Sequence, residues 1–165
     1  MRRLWTLVLV TALVVVMPVA ALAAVERQVN EFENQFEDPL GAELCGVDEF
    51  LVHESGVERV TEFFNQDGDL VKVHVNVTGS TEITGDGELL AWENFAFMVI
   101  LDFEEGTVTQ NGNVFNIHVT GEGNVVNDSG QIVFSLEDDS LLEVRGPHEA
   151  FFTPPPVLVC EALTD

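Results

Sequence analysis

Basic residues are scarce in this chain, with six Lys plus Arg set against 29 Asp plus Glu, for a formal charge of -23 and a pI near 4.1. Nucleic-acid binding is excluded on that ground, because phosphate recognition needs clustered cations. An anionic lipid surface is repelled for the same reason. Tyrosine is absent and tryptophan occurs only twice, so the aromatic girdles of a transmembrane β-barrel cannot be built. Cysteine is limited to Cys45 and Cys160. With none earlier in the chain, an N-terminal lipid anchor has no attachment point. The longest apolar run, Leu4 to Met17, falls short of the roughly 20 residues a membrane-spanning helix requires.

That run lies between Arg2-Arg3 and the small-residue tripeptide Ala21-Leu22-Ala23. This order reads as a secretory signal peptide over residues 1–23, cleaved after Ala23. The expected organisation is then a signal peptide (1–23), an N-terminal arm (24–44) and one domain (45–165). Removing the leader takes Arg2 and Arg3 with it and makes the balance more negative still. Companions for so much like charge are high salt, divalent cations or a cationic partner. In an exported protein two cysteines read as one disulfide. Closing so long a loop stabilises by about 4 to 5 kcal/mol on the chain-entropy model. All 12 Phe lie beyond the leader, enough for a substantial core.

From Cys45 onward the apolar pattern has period two. Val71, Val73, Val75 and Val77 alternate with Lys72, His74, Asn76 and Thr78, and Phe115, Ile117 and Val119 alternate with Asn116, His118 and Thr120. These are half-buried strands of an antiparallel sheet. Turn signals are read at Asp67-Gly68, Gly85-Asp86-Gly87, Glu104-Glu105-Gly106, Asn111-Gly112, Gly121-Glu122-Gly123, Asp128-Ser129-Gly130, Glu137 to Ser140 and Gly146-Pro147. From Phe95 to Leu101 both parities are apolar, which predicts a strand covered on both faces, by the segment before Cys45 or by a second subunit. A buried helix competes there. In residues 24–40, Val25, Val29, Phe32 and Phe36 fit one face of a helix and in part a strand, or else a frayed arm. Pro154-Pro155-Pro156 predicts polyproline geometry before residues 157–163 return Cys160 to the body.

Chemical signatures are weak. His53, His74, His118 and His148 lack metal-ligand spacing and read as surface or satisfied side chains. Asn65-x-Asp67-Gly68-Asp69 resembles the start of a calcium loop but lacks the closing bidentate Glu, so a hairpin turn is the better reading. Glu137-Asp138-Asp139 offers at most weak calcium binding in a solvated loop. No cofactor is expected beyond that. No Gly-x-Ser-x-Gly elbow occurs, and both cysteines are committed, so no nucleophilic triad is supported. Asn76-Val77-Thr78 and Asn127-Asp128-Ser129 match the glycosylation acceptor pattern.

Cys45-Gly46 ahead of the first strand, a turn-punctuated β region, Gly146-Pro147-His148 and a closing Cys160 with Leu163 behind it form a layout that resembles a group of small secreted actinobacterial proteins. The resemblance implies a compact β-barrel and carries no functional residue over to this chain. The expected fold is an all-β, antiparallel barrel of about eight strands, with a β-sandwich as the alternative, since closure removes exposed strand edges. The leading expectation for function is a secreted binding module for an apolar small molecule, in monomeric or homodimeric form. A structural or interaction protein with a solid core and a barrel-type cyclase or isomerase are the rivals. Cavity volume separates the first rival from the carrier. The enzyme needs a titratable side chain pointing inward, whereas parity places His74 and His118 opposite the valines.

Overall fold

The computed structural model describes residues 24–148, 150 and 153–164. The signal peptide expected over residues 1–23 lies outside the described residues. The order of elements is β1 (Val25–Glu37), α1 (Pro39–Cys45), β2 (Phe50–Phe64), β3 (Leu70–Gly85), β4 (Glu88–Asp102), β5 (Thr107–Val119), β6 (Gly123–Ser135), β7 (Leu141–Arg145) and α2 (Pro155–Thr164). Each strand pairs antiparallel with the next, giving a single seven-stranded meander. Among the described residues no helix is long and apolar enough to cross a membrane.

The all-β, antiparallel expectation holds, but the sheet does not close into a barrel, and among the described residues no second sheet makes a sandwich. The ladder ends at β1 on one side and β7 on the other. β7 has five residues and β1 has 13, so the two edges offer little matching backbone to pair. The free edge is guarded by charge instead: Glu26, Arg27, Glu31, Glu33 and Glu37 of β1 are all exposed. Residues 24–40, which the sequence leaves open among helix, strand and arm, supply β1 and the start of α1.

Two of the expected turns lie inside strands. Asn111-Gly112 sits in β5 and Asp128-Ser129-Gly130 in β6. Gly112 and Gly130 face each other with φ of +112° and +139°, conformations that suit glycine and misdirect a reading based on turn chemistry. The register slips beside them, between Glu93 and Ala96 and between Asn113 and Phe115, as at a β-bulge. Strands are therefore fewer and longer than expected, most of them 13 to 16 residues.

The pairing register sorts side chains onto two faces. The inner face carries Phe50, Val52, Ile83, Ala91, Ile117, Val119 and Val126, and Val159 and Cys160 of α2 pack against it in one buried cluster with Ala150. Along β4, Ala91, Glu93 and Phe95 are buried while Trp92, Asn94 and Ala96 are exposed. From Phe97 to Leu101, where cover on both faces is expected, both parities are half-buried. The segment before Cys45 forms an edge strand and a helix.

Helix α1 is capped by Asp38, whose Oδ1 accepts from Leu40 N at 3.0 Å and Gly41 N at 3.2 Å, and it ends at Gly46 in the left-handed conformation. The expected disulfide is present: Cys45 of α1 is bonded to Cys160 of α2 across 115 residues, with Cα atoms 4.8 Å apart. Pro155 and Pro156 open α2 rather than continuing a polyproline stretch. The first helical turn has no use for their missing N–H groups.

A row of four inner residues, Phe32, Gly56, Gly79 and Phe95, crosses β1 to β4. The two rings lie over the two glycines: a Cβ on Gly56 would meet Phe32 Cζ at 2.7 Å, and one on Gly79 would meet Phe95 Cζ at 2.5 Å and collide with Ser55 O. Replacing a strand glycine by alanine normally helps. Gly79→Ala is expected instead to cost about 1 to 3 kcal/mol, read as a lower urea midpoint. A midpoint at or above that of the parent would contradict this packing.

Candidate functional site

Immediately beside the glycine row lies a polar row on the same face: Asn34, Glu54, Thr81, Glu93, then Ile117 and Val126. Strand periodicity places Glu93 in line with Ala91, Phe95, Phe97, Val99 and Leu101. It therefore enters a row of β4 side chains that is otherwise apolar. Glu54 arrives the same way, two residues after Val52 on β2. Between the two rows is a cavity of about 250 Å³ lined by Phe32, Glu54, Val77, Thr81, Glu93, Phe95, Phe97, Val114 and Phe115. A second lobe of about 150 Å³ runs toward Phe36, Phe50, Val52, Ile83, Ile117 and Pro155-Pro156 at the start of α2. Glu54, Thr81, Glu93 and Phe115 line both lobes, so the carboxylates stand where the lobes meet.

Glu93 is 7% exposed. Burial pushes its carboxyl above the ordinary 4.5, while the Thr81 hydroxyl and the Asn116 N–H pull it partly back and the Glu54 charge adds to the rise. Asn116 N donates to Glu93 Oε2 at 3.2 Å. Thr81 stands close enough to favour the carboxylate, yet its geometry falls short of a hydrogen bond, and Oγ1 is buried without a protein partner. Such an orphan is uncommon in a folded interior and points to a group that the cavity is built to receive.

A carboxyl raised in the fold binds its proton more tightly there than in the unfolded chain. Its contribution to stability is complete below the unfolded value and is lost as pH rises through the folded one. The parent is therefore expected to lose stability relative to Glu93→Gln as pH rises above 4.5. Thermal unfolding of both proteins across about pH 4 to 8 checks this. Parallel curves would contradict a strained, buried Glu93.

The histidines are dispersed. His53 Nε2 lies 3.2 Å from Glu33 Oε1. His74 tilts against Phe63 with centroids 4.8 Å apart, and His118 stacks on Trp92 at 4.3 Å. All three belong to the outer face, in the parity expected for His74 and His118. His148 is buried: Nδ1 lies 2.8 Å from Asp128 Oδ1 and Nε2 lies 3.0 Å from Arg145 O. In the Asn65 to Asp69 turn, Asn65 Oδ1 accepts from Asp67 N and Asp69 N, both at 2.9 Å. Its oxygen is spent on the hairpin. Asp138 is held below the usual carboxylate range by the Ser140 and Ser135 hydroxyls. Among the described residues no group of three metal-type ligands is gathered. Of the glycosylation patterns, Asn127 is exposed and Asn76 half-buried.

Glu54, Thr81 and Glu93 escape a motif search because no fixed spacing along the chain joins them. The available signal is parity: Glu93 falls on the apolar positions of β4.

The class these features define is an open, all-β antiparallel sheet whose inner face holds an apolar cavity with two inward carboxylates. Set beside known proteins, the chain matches no family model, no curated protein and no solved structure.

Proposed function

We propose that this protein is an exported binding module that holds an apolar small molecule against the inner face of its sheet. The observation that carries this reading is the two-lobed cavity, walled by phenylalanines and containing an unpartnered buried hydroxyl. Ligand sites are concave and mostly apolar, with a few placed polar groups. The larger lobe, at about 250 Å³, lies just under the roughly 300 Å³ at which drug-sized sites begin, so the ligand is small. Export, and membership in the secreted group with an early Cys-Gly and a late Cys, belong to the same proposal. An intramolecular disulfide is compatible with an oxidising compartment.

Native mass spectrometry of the protein from its own culture medium tests this. A retained hydrophobic compound, or stoichiometric uptake of added 1-octanol, supports a carrier. A bare protein that takes up nothing would favour a structural role.

A second reading has one specific observation behind it. Glu93 is an inward carboxyl whose affinity for its proton is raised, as a general acid or base requires. An isomerase or cyclase acting on the same ligand would lose turnover in Glu93→Gln while still binding it. A carrier has no turnover to lose.

A further inference from the structure

Charge is segregated across the sheet. The register places Glu26, Glu54, Glu58, Glu62 and Glu93 on the inner face and no Lys or Arg among them. The four basic residues of positions 24–165, Arg27, Arg59, Lys72 and Arg145, all lie on the outer face. Two of them are paired there, Lys72 with Asp102 at 2.6 Å and Arg145 with Glu143. No cation of the sheet therefore reaches the cavity to neutralise Glu54 and Glu93.

Thr81 supplies an independent indication. Its hydroxyl is 4% exposed, lines both lobes and, although near enough to Glu93 to favour that carboxylate, makes no hydrogen bond of full geometry among the described residues. A threonine hydroxyl can donate to a carboxylate and still accept through its lone pairs, so a donor brought by the ligand can engage Glu54, Thr81 and Glu93 together. We infer that the ligand of this cavity is a small primary amine in its ammonium form, with N–H groups directed to Glu54, Thr81 and Glu93 and its apolar part on Phe32, Phe95 and Phe97. This deepens the reading of the cavity as an apolar binding site and depends on it.

Three features set a primary ammonium apart from other apolar molecules. It carries three N–H donors where the site presents three acceptors. A cation near phenylalanine faces gains attraction from the ring quadrupoles. A fatty acid would place its carboxylate against two others, and like charges in a cavity of low polarity repel strongly. A quaternary ammonium keeps the charge but has no N–H to give Thr81.

Calorimetric titration of the disulfide-bonded protein at pH 7 with octylamine, 1-octanol, octanoate and octyltrimethylammonium tests the inference. Octylamine is expected to bind about ten- to a hundredfold more tightly than 1-octanol, from charge-assisted hydrogen bonds, with octanoate the weakest. In Glu54→Gln/Glu93→Gln the advantage over 1-octanol should vanish while 1-octanol binding persists. Thr81→Val should narrow the gap between the primary and the quaternary amine. Equal binding of octylamine and 1-octanol would overturn the inference and leave the apolar site standing. Failure of all four to bind would overturn both. Equal binding of the two amines to the parent would remove the hydrogen-bonding role assigned here.

Discussion

Replacing Cys45 and Cys160 together by serine is expected to lower the unfolding free energy by about 4 to 5 kcal/mol. For a domain of this length that corresponds to a fall in Tm of about 12 to 20 °C. The physical basis is the 115-residue separation of the bridge, which removes chain entropy from the unfolded state. The bridge also clasps α1 to α2, and both helices pack on the same end of the inner face, where Phe50, Val52 and Ile83 are buried. Loss of the bridge therefore loosens the cover of the core and of the smaller cavity lobe. Calorimetry with and without reductant measures the change. A Tm that moves by only a degree or two would show that sheet pairing alone holds the fold.

The second large effect is expected at His148. Its ring lies between Asp128 of β6 and the Arg145 carbonyl at the end of β7, with the side chains of His148 and Asp128 only 2% and 3% exposed. The ring bridges the two neighbours through its two nitrogens, Nδ1 toward Asp128 Oδ1 and Nε2 toward Arg145 O. Ser129 N donates to Pro147 O at 3.0 Å in the same corner. The pair thus fixes the path of the chain as it leaves β7 and returns toward α2. His148→Ala removes one partner of a buried pair, at a cost of about 3 to 5 kcal/mol. Asp128→Val/His148→Ala should recover part of that loss, because both members of the buried pair are replaced together. Denaturant unfolding with unchanged m-values checks both. A loss under about 1 kcal/mol in the single variant would mean that the pair behaves like an exposed one.

Much of the sheet is legible from residue order because its alternation is strict where one face is covered. Val71 to Val77 and Phe115 to Val119 fall in β3 and β5 with their valines and isoleucine inward. The turns at Asp67-Gly68, Asp86-Gly87, Gly106 and Glu122 all join consecutive strands. Closure is not legible, because it depends on the match between the first and last strands, and β7 is too short to supply it. Nor do Gly112 and Gly130 declare themselves as mid-strand residues. A positive φ serves a hairpin and a bulge alike, and only the pairing register separates the two.

Of the cavity, sequence shows the hydrophobic wall and conceals the polar waist. Glu54, Thr81 and Glu93 come from three strands and meet only through the register of β2 with β3 and β3 with β4. Parity alone marks Glu93, a carboxylate where the strand otherwise turns apolar side chains inward. The helical cover is similarly hidden: α1 follows from its Asp38-Pro39 start and Gly46 end, but the helix opened by Pro155-Pro156 resembles an extended stretch until its packing on the sheet is known.

The inner face of this open sheet is proposed as a binding surface for a small apolar amine. Isotope-edited NMR during an octylamine titration tests it most directly. Saturable shifts are expected at Val77, Phe95, Phe97 and Phe115, which line the cavity, and none at the indole of Trp92, stacked on His118 across the sheet. Shifts confined to Trp92 and its outer-face neighbours, or no saturable shift at all, would contradict it.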